Sequence, residues 1–115
     1  MQLTASKNYL EERLPERVIK KLYKLAQKYA DRGIQLFVFG SFANASDRKT
    51  SDLDIGVLWT NERSSKAFSE LYSDILELPT IRKIDLVDMQ QVDKFFKRKI
   101  MSKKIILLDE AGIEG

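Results

Sequence analysis

The chain is predicted to fold as an α/β (α+β) domain, a small mixed β-sheet with helices packed on it. Two observations carry this. Short apolar runs, too brief for helices, stand at 34–39 and 53–59, and segments of helical period precede and follow them. The 115 residues show no repeat and no Pro/Gly-rich linker, so 1–115 is expected to be a single domain with one core.

The elements follow in order. In LPERVIKKLYKLAQKYADRG, Val18, Leu22, Leu25 and Tyr29 recur at spacings of four, three and four, which predicts an amphipathic helix from about 15 to 32. Pro15 suits its first position, Gly33 the position just past its end, and Arg32 the C-terminal dipole. IQLFVF at 34–39 reads as a buried strand closed by Gly40. LDIGVLW at 53–59 reads likewise, with Leu53, Ile55, Val57 and Trp59 on one face and Asp52, Asp54, Gly56 and Leu58 on the other.

Thr60 or Asn61 could cap the next helix, where Phe68, Leu71, Ile75 and Leu78 keep helical spacing until Pro79. A strand is expected at 82–88. A helix follows in QVDKFFKRKIMSKK, with Val92, Phe95, Phe96 and Ile100 apolar, and then a short last strand at 104–109. Phe95 and Phe96 are read as core and interface residues, the surrounding lysines as a solvated face, and Tyr9, Tyr23, Tyr29 and Tyr72 as packing residues.

Composition narrows the chemistry. With no Cys and no His, disulfides, thiol nucleophiles, zinc sites of the usual kind and a histidine base are all excluded. A metal must then sit on oxygen ligands, which favours Mg²⁺ or Mn²⁺. A net charge of +3 is mild and gives no indication of direct nucleic-acid binding. The absence of any long apolar stretch or signal-type N-terminus predicts a cytoplasmic protein without membrane contact.

The loop at 40–52 concentrates the chemistry, because a thirteen-residue connection is longer than a hairpin needs. Gly40 lets a ligand approach the backbone, and Ser41 offers a hydroxyl and an N–H to a phosphate oxygen. Asp52 and Asp54 project to one side, about 6.6 Å apart along an extended strand, a spacing at which two carboxylates can share a hard cation or hold two. Asp85 is the candidate third carboxylate on a neighbouring strand, whereas Asp88 has the opposite parity. Three carboxylates with two Mg²⁺ ions suit phosphoryl or nucleotidyl transfer.

Gly40-Ser41, ten residues, then Asp52-Leu53-Asp54, with the Asp85 strand after them, resembles the signature of the DNA polymerase β-type nucleotidyltransferase superfamily. The length is similar to that of its minimal branch, the MNT proteins, antitoxins paired with HEPN-domain toxins. The likeness spans roughly residues 15 to 109. It implies that Gly40 and Ser41 hold the triphosphate of ATP, that Asp52, Asp54 and Asp85 bind two Mg²⁺, and that Asp85 helps deprotonate the acceptor. That acceptor would be a tyrosine of a HEPN-type toxin, which receives AMP and is silenced.

The family pattern Gly-Ser-x-Ala-x-Gly, often with Arg before its last Gly, is broken here by Asn44 and Ala45. Arg48 and Lys49 stand in the same loop as substitute cations for the phosphates. The departure motivates a rival reading, a catalytically weak module that neutralises its partner by contact. Another is a transferase acting on a small molecule or RNA.

Overall fold

A computed structural model describes residues 6–108. Helices α1 (Lys7–Arg13) and α2 (Glu16–Ala30) precede strands β1 (Ile34–Phe39) and β2 (Leu53–Trp59). Helix α3 (Ser65–Leu76), strand β3 (Ile84–Asp88), helix α4 (Lys94–Ser102) and strand β4 (Ile105–Ile106) follow. The sheet order is β3-β2-β1-β4. β1 runs antiparallel to β2 and β4, while β2 and β3 are parallel, so a crossover is required and α3 supplies it.

The mixed sheet with packed helices agrees with the sequence reading, and the differences lie at its edges. The first expected helix begins one residue later, with Pro15 at the cap. Arg32 lies beyond its last turn and pairs through both terminal nitrogens with Glu70, at 2.9 and 3.2 Å. Ser64, not Thr60 or Asn61, caps α3, its hydroxyl accepting from the Ala67 N–H at 3.1 Å. The expected strand 82–88 shortens to Ile84–Asp88, and that at 104–109 to two residues; position 109 lies outside the described residues.

Helix α1 has no counterpart in the sequence reading. Ser6 caps it, Leu10 is its one buried residue, and Leu14 at its C-cap is buried too. One buried side chain in seven residues leaves no period to detect.

Two apolar layers form on opposite sheet faces. Leu36, Val38, Leu53, Ile55 and Val57 pack beneath α1, α2 and α3, and Phe37, Phe39, Met89 and Ile100 form the layer under α4. Phe37 lies directly across Gly56, its register partner, so closely that a Cβ there would stand 2.1 Å from the ring. The layer under α4 is the smaller. Val92, Ile100 and Met101 supply the α4 side of it, while Phe95 is 81% exposed and Phe96 47%. The core part of the core-and-interface reading is therefore corrected: Val92, Ile100 and Met101 fill that side of the layer and leave both rings exposed.

Tyr72 is likewise exposed rather than packed, whereas Tyr29 is fully buried and donates its hydroxyl to Asp74 at 2.6 Å. Asp88 ends β3 on the face opposite Asp85 and accepts from Trp59 Nε1 at 2.9 Å and Arg63 Nε at 2.5 Å. Those bonds satisfy a carboxylate that is only 5% exposed, and give it a structural role. Among the described residues, no helix is long and apolar enough to cross a membrane.

Candidate functional site

At the end of β1 the chain turns at Gly40 with φ +75°, a backbone conformation that L side chains rarely adopt. The turn opens a space that β2 fills. A Cβ on Gly40 would stand 2.1 Å from Asp54 Oδ2, so the bare backbone of the glycine is the seat of that carboxylate. Phe39 is the register partner of Asp54 on β1, and Asp85 is its partner on the parallel neighbour β3. Sequence parity and sheet order thus bring two carboxylates side by side, on the α4 face beside the Gly40-Ser41 turn.

The electrostatics follow from this crowding. The Asp54 carboxyl is pushed up to about 6, first by burial, then by the charges of Asp85 and Asp52 and by a hydrogen bond with Asp85; Lys83 opposes the rise. Lys83 reaches Asp85 at 3.8 Å, in an exposed pair too loose to neutralise the site. Hard oxygen donors of like charge, with no nitrogen or sulfur ligand nearby, fit a divalent cation such as Mg²⁺. The structure differs from the expected ligand set in one respect. Among the described residues, no three such side chains converge closely enough to hold a metal ion. Asp54 and Asp85 form a pair, and Asp52, one residue before β2, is near enough to act on Asp54 without completing a cluster.

Loop 40–52 contains turns and no helix, so Ser41 caps none. The Asn44 N–H donates to Gly40 O at 3.1 Å and the Ser46 N–H to Ser41 O at 2.8 Å, and the hydroxyl of Ser41 is left unengaged by any described residue. Phe42 and Ala43 turn inward and are fully buried, pegging the loop to the layer beneath α1–α3. Phe42 alone is worth about 2–3 kcal/mol by burial.

Ala45 is the one described residue other than glycine with positive φ, at 56°. It occupies the place where the family pattern has its last Gly, so the left-handed turn persists without the residue that suits it. Ala45→Gly is expected to stabilise the protein by about 0.5–1 kcal/mol, the relief of strain exceeding the entropy lost from the unfolded chain. Chemical denaturation measures it, and an unchanged or lower midpoint would refute strain at this position.

Arg48 and Lys49, the substitute cations of the sequence reading, are both exposed. The Arg48 carbonyl, not its guanidinium, is engaged. Arg82 donates to it at 3.1 Å and to Ser51 O at 2.8 Å, while its guanidinium lies 5.1 Å from the Phe42 ring centroid. Lys49 lines a groove with Arg13, Arg17, Ile81 and Arg82. Sequence reasoning missed Arg82, and the only signal for it was a cation two residues before β3.

The family model described as "Polymerase beta, Nucleotidyltransferase" matches residues 20–111. A search of curated proteins finds no match. Among solved structures the chain is similar to a crystal structure of a toxin-antitoxin with AMP-PNP, with TM-score 0.58 and 22% identity over 84% of this chain and 77% of that one. A toxin-antitoxin MntA-HepT crystal structure gives 0.55 and 20%, covering 84% and 74%. A tri-AMPylated Shewanella oneidensis HEPN toxin in complex with MNT antitoxin gives 0.54 and 20% over the same shares. At these identities the likeness shows the fold.

Proposed function

Because the chain belongs to the polymerase β nucleotidyltransferase family, we propose that it is an antitoxin that transfers AMP from ATP, with Mg²⁺, to a tyrosine hydroxyl of a partner HEPN-type toxin. The observation that carries this reading is the Asp54–Asp85 pair, seated by Gly40 and adjoining Ser41. The similar structures support the partner and the nucleotide, since one is a toxin-antitoxin with AMP-PNP and another contains an AMPylated toxin.

In the proposed reaction the tyrosine oxygen bonds to the α-phosphorus of ATP, the α–β phosphoanhydride bond breaks and pyrophosphate leaves, and the chain's own residues mainly position and polarise. Ser41 and the turn at Gly40 hold the phosphates of ATP. Asp54, fixed over Gly40, and Asp85, opposite it on β3, would hold the cation, and the charge of Asp52 nearby adds to its attraction. When bound, Mg²⁺ neutralises phosphate charge and favours the ionised acceptor hydroxyl. Asp85, whose side chain is 42% exposed, would accept the acceptor's proton, a task for which the chain has no histidine.

The experiment is incubation with α-labelled ATP, Mg²⁺ and the candidate toxin. Label should pass to the toxin with the wild-type chain and be lost, by at least about a hundredfold, with the Asp52→Asn/Asp54→Asn double variant. Transfer that survives the double substitution would remove the assigned site. The second reading, neutralisation by contact, rests on Asn44 and Ala45; it requires the double variant to protect against the toxin as well as wild type does.

A further inference from the structure

We propose that α1 is a positioning element for the nucleotide loop, acting through a clamp that closes on Asp47. The inference rests on the nucleotide-binding reading above and deepens it. Asp47 lies at the middle of the loop that carries Ser41 at one end and Asp52 at the other, yet its side chain is only 2% exposed. Two residues of α1 account for this burial. The Tyr9 hydroxyl donates to one carboxylate oxygen, and Arg13 Nε donates to the other at 3.1 Å. The guanidinium also lies 5.3 Å from the Tyr9 ring centroid, so the two clamp residues support each other.

The three groups behave electrostatically as one unit. The Tyr9 and Arg13 bonds outweigh burial and hold Asp47 below the usual carboxylate range, while the same carboxylate raises both Tyr9 and Arg13. Charge-assisted bonds of this kind are stronger than neutral ones.

The loop needs such a fixture. It contains a non-glycine residue with left-handed backbone at Ala45, and among the described residues its other external polar fixture is Arg82, which grips its second half at Arg48 and Ser51. Helix α1 precedes residue 20, where the family match begins, so the clamp joins a segment outside that match to the loop within it. Without it, the spacing between Ser41 and Asp52 would relax, and the loop would have to be ordered at the expense of nucleotide affinity.

The test is the affinity of the full chain for Mg²⁺·ATP by titration calorimetry, with melting temperatures measured in parallel. Tyr9→Phe removes one hydroxyl from the clamp. Tyr29→Phe removes a comparable hydroxyl bonded to Asp74, on the helical layer away from the loop. Tyr9→Phe should weaken Mg²⁺·ATP about tenfold, and Tyr29→Phe should cost a similar amount of stability with unchanged affinity. Arg13→Lys should fall between wild type and Arg13→Ala. Equal affinity of wild type and Tyr9→Phe would overturn the clamp, as would equal weakening by both tyrosine variants. A wild-type chain that does not bind Mg²⁺·ATP would instead bring down the nucleotide reading itself.

Discussion

Gly40→Ala should destabilise the protein by about 3 kcal/mol and slow the proposed AMP transfer by about a hundredfold. Two costs add. An alanine at φ +75° carries backbone strain, and its Cβ would stand 2.1 Å from Asp54 Oδ2, where no real Cβ can sit. The carboxylate must then leave its seat, which separates it from Asp85 and from the Ser41 turn. A displacement of about 1 Å at such a site costs on the order of a hundredfold in rate. The melting temperature should fall by roughly 10–20 °C.

A double-mutant cycle separates the two costs. In an Asp54→Ala background the clash is gone while the strain remains, so Gly40→Ala should there cost only about 1–2 kcal/mol. Equal costs in both backgrounds would mean that the glycine serves the turn alone and does not seat the carboxylate.

The same contact shows how far a sequence carries structural information. β1 and β2 are legible because six and seven consecutive residues, largely apolar and branched or aromatic, admit no other placement. Alternation then fixes which side Asp54 faces, and the Asp85 strand supplies its neighbour. What alternation cannot express is contact between residues far apart in the chain that are polar on both sides. Tyr9 with Asp47 and Arg82 with Arg48 are separated by 38 and 34 residues. Each lies where no periodic pattern exists, so loop 40–52 was visible as long and polar while its fixtures were not.

Phe95 and Phe96 mark another boundary. Their spacing within the helix allowed burial, but β3 and β4 leave only a small layer under α4, which Val92, Ile100 and Met101 already fill. The size of a core is a property of the assembled sheet. Convergence of carboxylates is also beyond a strand pattern: Asp52 and Asp54 share parity, yet only Asp54 meets Asp85 in register.

Asp54 also sets a pH dependence whose direction can be worked out. Its folded value, about 6, lies above the ordinary 3.8, so between these values the folded chain holds a proton that the unfolded chain has released. Its contribution to stability is therefore full below pH about 4 and is lost as pH rises through about 6. Asp47, Glu70 and Asp74 have lowered values and act in the opposite sense, but their contribution is complete once the pH is above the ordinary carboxylate range. Among the described residues, the interval from pH 5 to 7 thus isolates Asp54.

In the absence of divalent metal, stability should fall across that interval by on the order of 1–2 kcal/mol, after allowance for the solvent that still reaches the group. Asp54→Asn should abolish the slope and be more stable than wild type at pH 7.5, at the expense of the proposed activity. Mg²⁺ should reverse the ranking: a cation held by Asp54 and Asp85 stabilises the folded wild type by mass action and leaves Asp54→Asn nearly unmoved. Melting curves from pH 5 to 8, with and without Mg²⁺, test both statements. A metal-free Asp54→Asn variant that keeps the wild-type slope would show that the slope does not come from a buried Asp54 raised by its carboxylate neighbours, and would remove the electrostatic reason for placing the cation there.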